Sequence, residues 1–172
     1  MSELSLEYAQ ALYELSSSKQ EKEVLLYNLN EFKKVLSDEE ILKFLCYPEI
    51  SIKKKKELID KSLKNDLFRR FIYTLLDNRR IEIIGDIRDD FEALYYLEFN
   101  LLKVFVYSKV NLTKEYLDKL KEKLEIKTSK NVLLENVIDK SITAGIRIEY
   151  ESNIIDLTVD KKFNDLINDL KR

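Results

Sequence analysis

The stretch Leu102-Lys103-Val104-Phe105-Val106-Tyr107 decides the fold. Leu102, Val104 and Val106 alternate with Lys103, Phe105 and Tyr107, the period of a strand with one face well buried. Before this stretch the period is helical. Leu25, Leu29, Phe32 and Leu36 follow 4-3-4 spacing, the seam of a helix packed on other helices. After it, Ile146, Ile148 and Tyr150 alternate again, with Arg147 and Glu149 facing water. The change of period near residue 100 predicts a mainly α chain in two parts: an antiparallel six-helix bundle over 1–101, then a small α+β domain over 102–172.

Working back from the strand, the helices can be placed by their caps and stops. Leu4, Tyr8, Leu12 and Leu15 form one stripe with Ala11 beside it, and Ser16-Ser17-Ser18 ends the helix. Ser18 with Glu21, and Ser37 with Glu40, each read as a capping box for the helix that follows. Pro48 stops the third helix, because the residue before a proline is pushed out of helical geometry. Ser51 is expected to cap a fourth helix with Ile52, Ile59 and Leu63, and Asn65 or Asp66 a fifth with Leu67, Phe68, Phe71, Ile72, Leu75 and Leu76. The fifth is apolar around much of its circumference and should be the most buried. Asp77-Asn78-Arg79-Arg80 makes the next turn, and Ile84, Ile87, Phe91, Leu94 and Tyr95 belong to a sixth helix. Short connections between successive helices imply antiparallel neighbours.

Working forward, Thr113 caps a helix carrying Leu117, Leu120 and Leu124. A β-rich run over 131–138 follows, then Gly145 to Tyr150, a turn at Glu151-Ser152-Asn153, and a last strand from Ile154 to Thr158. A final helix places Phe163, Leu166, Ile167 and Leu170 on one face.

Composition narrows the function. Apolar residues make up 45% of the 172, enough for a core, and the net charge is only −2 despite 36% charged side chains. Residues 1–100 are net acidic and residues 101–172 mildly net basic. No basic stripe of the kind that binds nucleic acid is expected. With no His and one Cys, a Ser–His or Cys–His nucleophile is impossible and a zinc site is not expected. Glycine occurs only at 85 and 145, so there is no phosphate-cradling loop. Adjacent carboxylates at Asp89-Asp90 point in different directions on a helix and do not converge on a substrate. Cys46, within Phe44-Leu45-Cys46-Tyr47, reads as a small buried hydrophobe. Lys53-Lys54-Lys55-Lys56 reads first as a solvated helix face, and otherwise as a contact for anionic headgroups or an acidic partner. The start Met1-Ser2-Glu3 shows no signal peptide, and no apolar run reaches a bilayer's width. A soluble, intracellular, non-catalytic chain without cofactor or metal is the expectation.

Several segments together carry a resemblance. Tyr8-Ala9-Gln10-Ala11-Leu12-Tyr13-Glu14-Leu15 resembles the opening helix of the delta subunit family of bacterial F-type ATP synthases, related to the mitochondrial oligomycin-sensitivity-conferring protein. Phe44-Leu45-Cys46-Tyr47-Pro48-Glu49-Ile50 is similar to the family's Leu-x-x-Pro turn, and Phe71 to Arg80 to its fifth helix and Asn-Gly-Arg turn. The segments from Ile138 to Ile146 and from Ile155 to Val159 resemble the signature around its last two strands. Three positions depart from the pattern: Arg79 and Ala144 stand where glycines are usual, and Leu157 replaces a small residue.

The resemblance implies a stator part of the peripheral stalk, one copy per complex, which performs no chemistry itself. It implies that the bundle holds the N-terminal helix of an alpha subunit in a groove between its first and fifth helices. The C-terminal domain is implied to hold the ends of the b subunits, and the protein to lie on the cytoplasmic face of the bacterial inner membrane through the complex. By position, the groove residues are Tyr8, Ala11 and Leu15 on helix one and Arg70, Phe71, Thr74 and Asn78 on helix five. Ala11 allows close approach of a partner helix, and Thr74 interrupts an apolar helix; Tyr8, Leu15 and Phe71 read equally well as ordinary core. The face of the last helix opposite Phe163 and Leu166 is the only guess for the b contact. The alternative to a stator is a helical adaptor of some other assembly.

Overall fold

The structure, a computed structural model, describes residues 3–170, and its contacts divide the chain between Tyr95 and Tyr96. The first unit contains α1 Glu3–Glu14, α2 Lys19–Val35, α3 Glu39–Cys46, α4 Ile52–Ser62 and α5 Asp66–Asp77. A 3₁₀ turn, Ile81–Ile83, then leads into α6 Ile84–Glu98, which runs across the division. One core draws on all six helices, with Leu12, Leu29, Phe68, Ile72, Leu75, Ile87 and Phe91 fully enclosed. As its composition predicts, α5 buries more of itself than its neighbours: Phe68, Phe71, Ile72, Leu75 and Leu76 are all inside. Each such side chain contributes about 1.5–3 kcal/mol through removal of apolar surface from water.

The helix ends follow local chemistry, with some corrections. Ser18 and Glu21 form the expected capping box: Glu21 N–H donates to Ser18 Oγ at 3.2 Å, and the Glu21 carboxylate accepts from Ser18 N–H. The expected box at Ser37 does not form. Asp38 caps α3 instead, accepting from Glu40 N–H at 2.8 Å, while Ser37 Oγ turns back to the carbonyl of Lys33. A carboxylate at this position also meets the positive end of the helix dipole, which a hydroxyl does less well. Asn65 caps α5 by accepting from Phe68 N–H at 2.9 Å. Ser51 occupies the cap position of α4 without a side-chain bond.

The lysine run is not one solvated face. Lys55 is buried, its Nζ donating to the Tyr47 carbonyl at 2.8 Å, and Lys56 pairs with Asp77 at 2.8 Å. Lys53 and Lys54 stay exposed.

The second unit contains β1 Leu101–Ser108, α7 Lys114–Thr128, β2 Asn131–Ile138, β3 Ile146–Tyr150, β4 Asn153–Asp156 and α8 Val159–Leu170. The sheet order is β2-β1-β3-β4. β1 and β2 run parallel, joined through α7, and the other pairs are antiparallel. The alternation read at residues 102–107 is the observed burial pattern: Leu102, Val104, Val106 and Ser108 are buried, and the residues between them half-buried. The inner face meets Leu124 of α7 together with Val132, Ile146 and Ile148. β4 ends at Asp156, two residues before the expected end at Thr158. There the Asp156 carboxylate accepts from Thr158 N–H and Oγ1 and bends the chain toward α8. Leu166, Ile167 and Leu170, expected on one face of the last helix, have side chains outside the described residues, whereas Phe163 is exposed. Among the described residues no helix is long and apolar enough to cross a membrane.

Candidate functional site

Helix α1 buries its apolar stripe only in part. The stripe read from the sequence is Leu4, Tyr8, Leu12 and Leu15, with Ala11 beside it. The residues that the fold encloses are Ser5, Ala9, Leu12 and Ser16, a row with the same 4-3-4 spacing. Of the expected stripe, only Leu12 is enclosed. The small residues face inward because there is a buried acceptor for one of them: Ser5 Oγ donates to Asp90 Oδ2 at 2.6 Å, and Asp90 is 1% exposed. Its neighbour Asp89 points the other way, to Lys33 and Arg88, so the two carboxylates diverge as expected. Hydrogen bonds from Arg88 and Lys33 outweigh the desolvation that opposes them and hold the Asp89 carboxyl below the usual range.

The other face of α1 is left for solvent or a partner. Ala11 is exposed, and so is Leu15, at 63% of its surface. Tyr8 is half-buried and leans on α5, its ring meeting Phe71 edge to face at 6.3 Å between centroids. Phe71 itself is core, 8% exposed. The candidates on α5 form a row beside it: Arg70, Thr74 and Asn78 are exposed, Thr74 Oγ1 donates to the Arg70 carbonyl at 3.1 Å, and Asn78 Nδ2 donates to the Thr74 carbonyl at 2.9 Å. The Arg70 guanidinium pairs with Asp66 one turn back and holds that carboxyl below its usual range. Of the seven candidates, then, Tyr8 and Phe71 touch across the two helices, and the other five are exposed.

The sequence reading missed Arg80, whose Nη1 donates to the Tyr8 hydroxyl at 3.2 Å and whose guanidinium lies 5.7 Å from that ring. No local pattern links residues 8 and 80. Arg79 just before it closes α5: its N–H donates to the Leu76 carbonyl, Arg80 N–H donates to the Leu75 carbonyl at 2.8 Å, and Arg79 takes φ 56°. This is the paired-bond helix end that usually selects glycine, which explains why a glycine is common where Arg79 stands.

In the second unit the segments that carry the resemblance form one junction. Gly145 has φ 92°, and a Cβ there would lie 2.5 Å from the Leu157 carbonyl oxygen. Leu157 N–H donates to the Ile146 carbonyl and Val159 N–H to the Ala144 carbonyl. Ala144 is not among the positive-φ residues, so the alanine that replaces a glycine costs nothing in backbone strain. Asp139 and Asp156 each close a short turn, on Ser141 and Thr158 respectively, and these hydrogen bonds lower both carboxyls below the usual value. On the sheet face beside them, the Arg147 guanidinium lies 4.7 Å from the Tyr107 ring and donates to Glu149 at 2.9 Å.

Known proteins are similar to this chain over nearly its whole length. Residues 4–170 match the family described as ATP synthase delta (OSCP) subunit. The chain is 30% identical over 167 residues to an ATP synthase subunit delta of Clostridium botulinum, spanning 95% of this chain and 93% of that one. It is also 30% identical over 172 residues to the chloroplastic ATP synthase subunit delta of Arabidopsis thaliana, covering 95% of this chain and 74% of that one. A chain in the cryo-EM structure of the Toxoplasma gondii mitochondrial ATP synthase hexamer has the same fold, with a TM-score of 0.66 over 99% of both chains at 17% identity. With its sequence matched almost from end to end, the chain belongs to the ATP synthase delta (OSCP) subunit family.

Proposed function

We propose that the chain is the non-catalytic stator subunit of an F-type ATP synthase, linking the alpha/beta catalytic head to the b subunits of the peripheral stalk and resisting rotor torque. The six helices that share the first core act as an antiparallel bundle that grips the N-terminal helix of an alpha subunit. The second unit receives the C-terminal ends of b. One copy serves each complex, peripheral to the cytoplasmic face of the bacterial inner membrane.

The observation that carries this reading is the mismatch on α1. A helix whose enclosed row is Ser5, Ala9 and Leu12, while Ala11 and, just past its end, Leu15 stay in the open, offers a surface that can be covered again from outside. An amphipathic helix laid along α1 and α5 engages several apolar anchors at once, and exposed Ala11 lets the two backbones approach. Holding the head with one unit and the stalk with the other raises the effective concentration of each contact for its partner.

The test is a titration of the full chain with a synthetic peptide of about 20 residues from the N-terminus of the alpha subunit of the same organism. Micromolar binding is expected, weakened at least ~10-fold by Ala11→Asp with the melting temperature unchanged. Absence of binding at high micromolar peptide would overturn the groove assignment.

A further inference from the structure

The geometry points to a strand-addition site on the free edge of β2, taking an extended acidic peptide. At the two ends of β2, Asn131 N–H donates to the Asn100 carbonyl and Asp139 N–H to the Ser108 carbonyl, each at 2.9 Å. Backbone groups alternate sides along a strand, so residues 131, 133, 135, 137 and 139 face β1, and residues 132, 134, 136 and 138 face away. Val132 N–H confirms the phase, because it is taken by the Glu125 carboxylate at 3.0 Å rather than by β1. Among the described residues β2 pairs only with β1. That leaves the outward backbone groups of Leu134, Asn136 and Ile138 repeating at strand spacing.

Two features separate this edge from the opposite one. β4 is four residues long, too short to template much pairing, whereas β2 has eight. Natural edges of that length are usually guarded by lysine, proline or a bulge. Asn131-Val132-Leu133-Leu134-Glu135-Asn136-Val137-Ile138 has no lysine or proline and a single charged side chain, Glu135, which pairs with Lys103, and Leu133 and Ile138 are 42% and 50% exposed.

The edge also opens into a cavity of about 530 Å³ lined by Lys103, Leu133, Leu134 and Glu135 of the sheet and by Lys114, Leu117 and Lys121 of α7. A slot between an edge strand and a helix is how several domains hold extended peptides, with main-chain bonds giving affinity and the flanks choosing side chains. Here the flanks choose acidic ones. Three lysines outnumber Asp118 and Glu135 in the lining, and the ion pairs that engage two of them are loose, 3.7 Å for Lys103–Glu135 and 3.8 Å for Lys121–Glu125.

The full chain, labelled with ¹⁵N, is titrated with the peptide acetyl-Glu-Val-Glu-Val-Glu-Thr-Val-amide, with its lysine counterpart, and with a version N-methylated at alternate residues. The expected result is slowed amide exchange at Leu134, Asn136 and Ile138 with the acidic peptide. Affinity should drop at least ~10-fold on N-methylation, on exchanging Glu for Lys in the peptide, and on Lys114→Glu with Lys121→Glu in the protein. The site is wrong if N-methylation leaves affinity unchanged, if protection maps elsewhere, or if no peptide binds at millimolar concentration. Protection of the same amides in the protein alone, lost on dilution, would instead assign the edge to a second copy of the chain.

Discussion

Tyr8 and Phe71 meet edge to face with ring centroids 6.3 Å apart, and this contact ties the first helix to the fifth. The two rings have different jobs. Phe71 is core, so Phe71→Ala should cost about 3–5 kcal/mol of stability, measured by urea unfolding. Ala11, exposed on the same helix as Tyr8, should tolerate Asp within about 0.5 kcal/mol, so that any loss of peptide binding in that variant is a loss of the surface alone.

The two glycines should respond oppositely to alanine. At Gly145 the backbone is left-handed and the new Cβ meets a carbonyl oxygen, so Gly145→Ala should destabilise by roughly 1–3 kcal/mol. At Gly85, inside α6, the Cβ meets only Lys33 Cε at 3.7 Å, and Gly85→Ala should stabilise by about 0.5–1 kcal/mol. Thermal melts of the two variants decide both.

Arg79 holds φ 56° at the end of α5. A residue with a Cβ is disfavoured there by roughly 1–2 kcal/mol, so Arg79→Gly should raise stability by up to about that amount. Chemical denaturation checks it; a loss of stability would mean that the Arg79 side chain does more for the fold than its backbone costs.

The Cys46 thiol is pushed up to about 11 by desolvation and by the Glu82 carboxylate that accepts from it. At pH 8 only about one thiol in a thousand is ionised, so alkylation by iodoacetamide should be slow in the folded protein and about 100-fold faster in urea. Glu82→Gln should speed the folded reaction. A folded rate equal to the unfolded one would show that Cys46 is not held in this environment.

Acid stability follows from Asp139 and Asp156, whose carboxyls are held below the ordinary 3.8 by hydrogen bonds from Ser141 and Thr158. A depressed carboxyl binds protons more readily in the unfolded chain. Its stabilisation is therefore complete above pH 3.8 and is lost as pH falls through the folded value. Asp139→Asn combined with Asp156→Asn should lower the melting temperature near neutral pH and flatten its fall in acid; an unchanged acid limb would contradict this.

What could be read in advance depended on the range of the interaction. The Ser18 cap, the stop at Pro48 and the alternation through Val104 and Val106 are decided within a few residues, and each is found as read. On α1, Asp90, 85 positions away, offers the buried Ser5 a partner, while Leu15 just past the helix end is exposed. Hydropathy ranks Leu15 above Ser5 and cannot tell that Ser5 is the enclosed one. The same limit hides Arg80, which reaches Tyr8 across 72 positions. At Ser37 the error was smaller: two neighbouring residues can both cap, and the charged one wins.

The Ser5–Asp90 bond has a consequence for how the protein is made. A ribosome delivers α1 before α6, and the acceptor for Ser5 arrives 85 positions later, with Arg80 not much sooner. During synthesis Ser5 is expected to lack its acceptor until α6 has left the exit tunnel. The seating of α1 is therefore expected to be among the last steps in the first unit, and a nascent chain stopped short of residue 90 should lack the acceptor for Ser5.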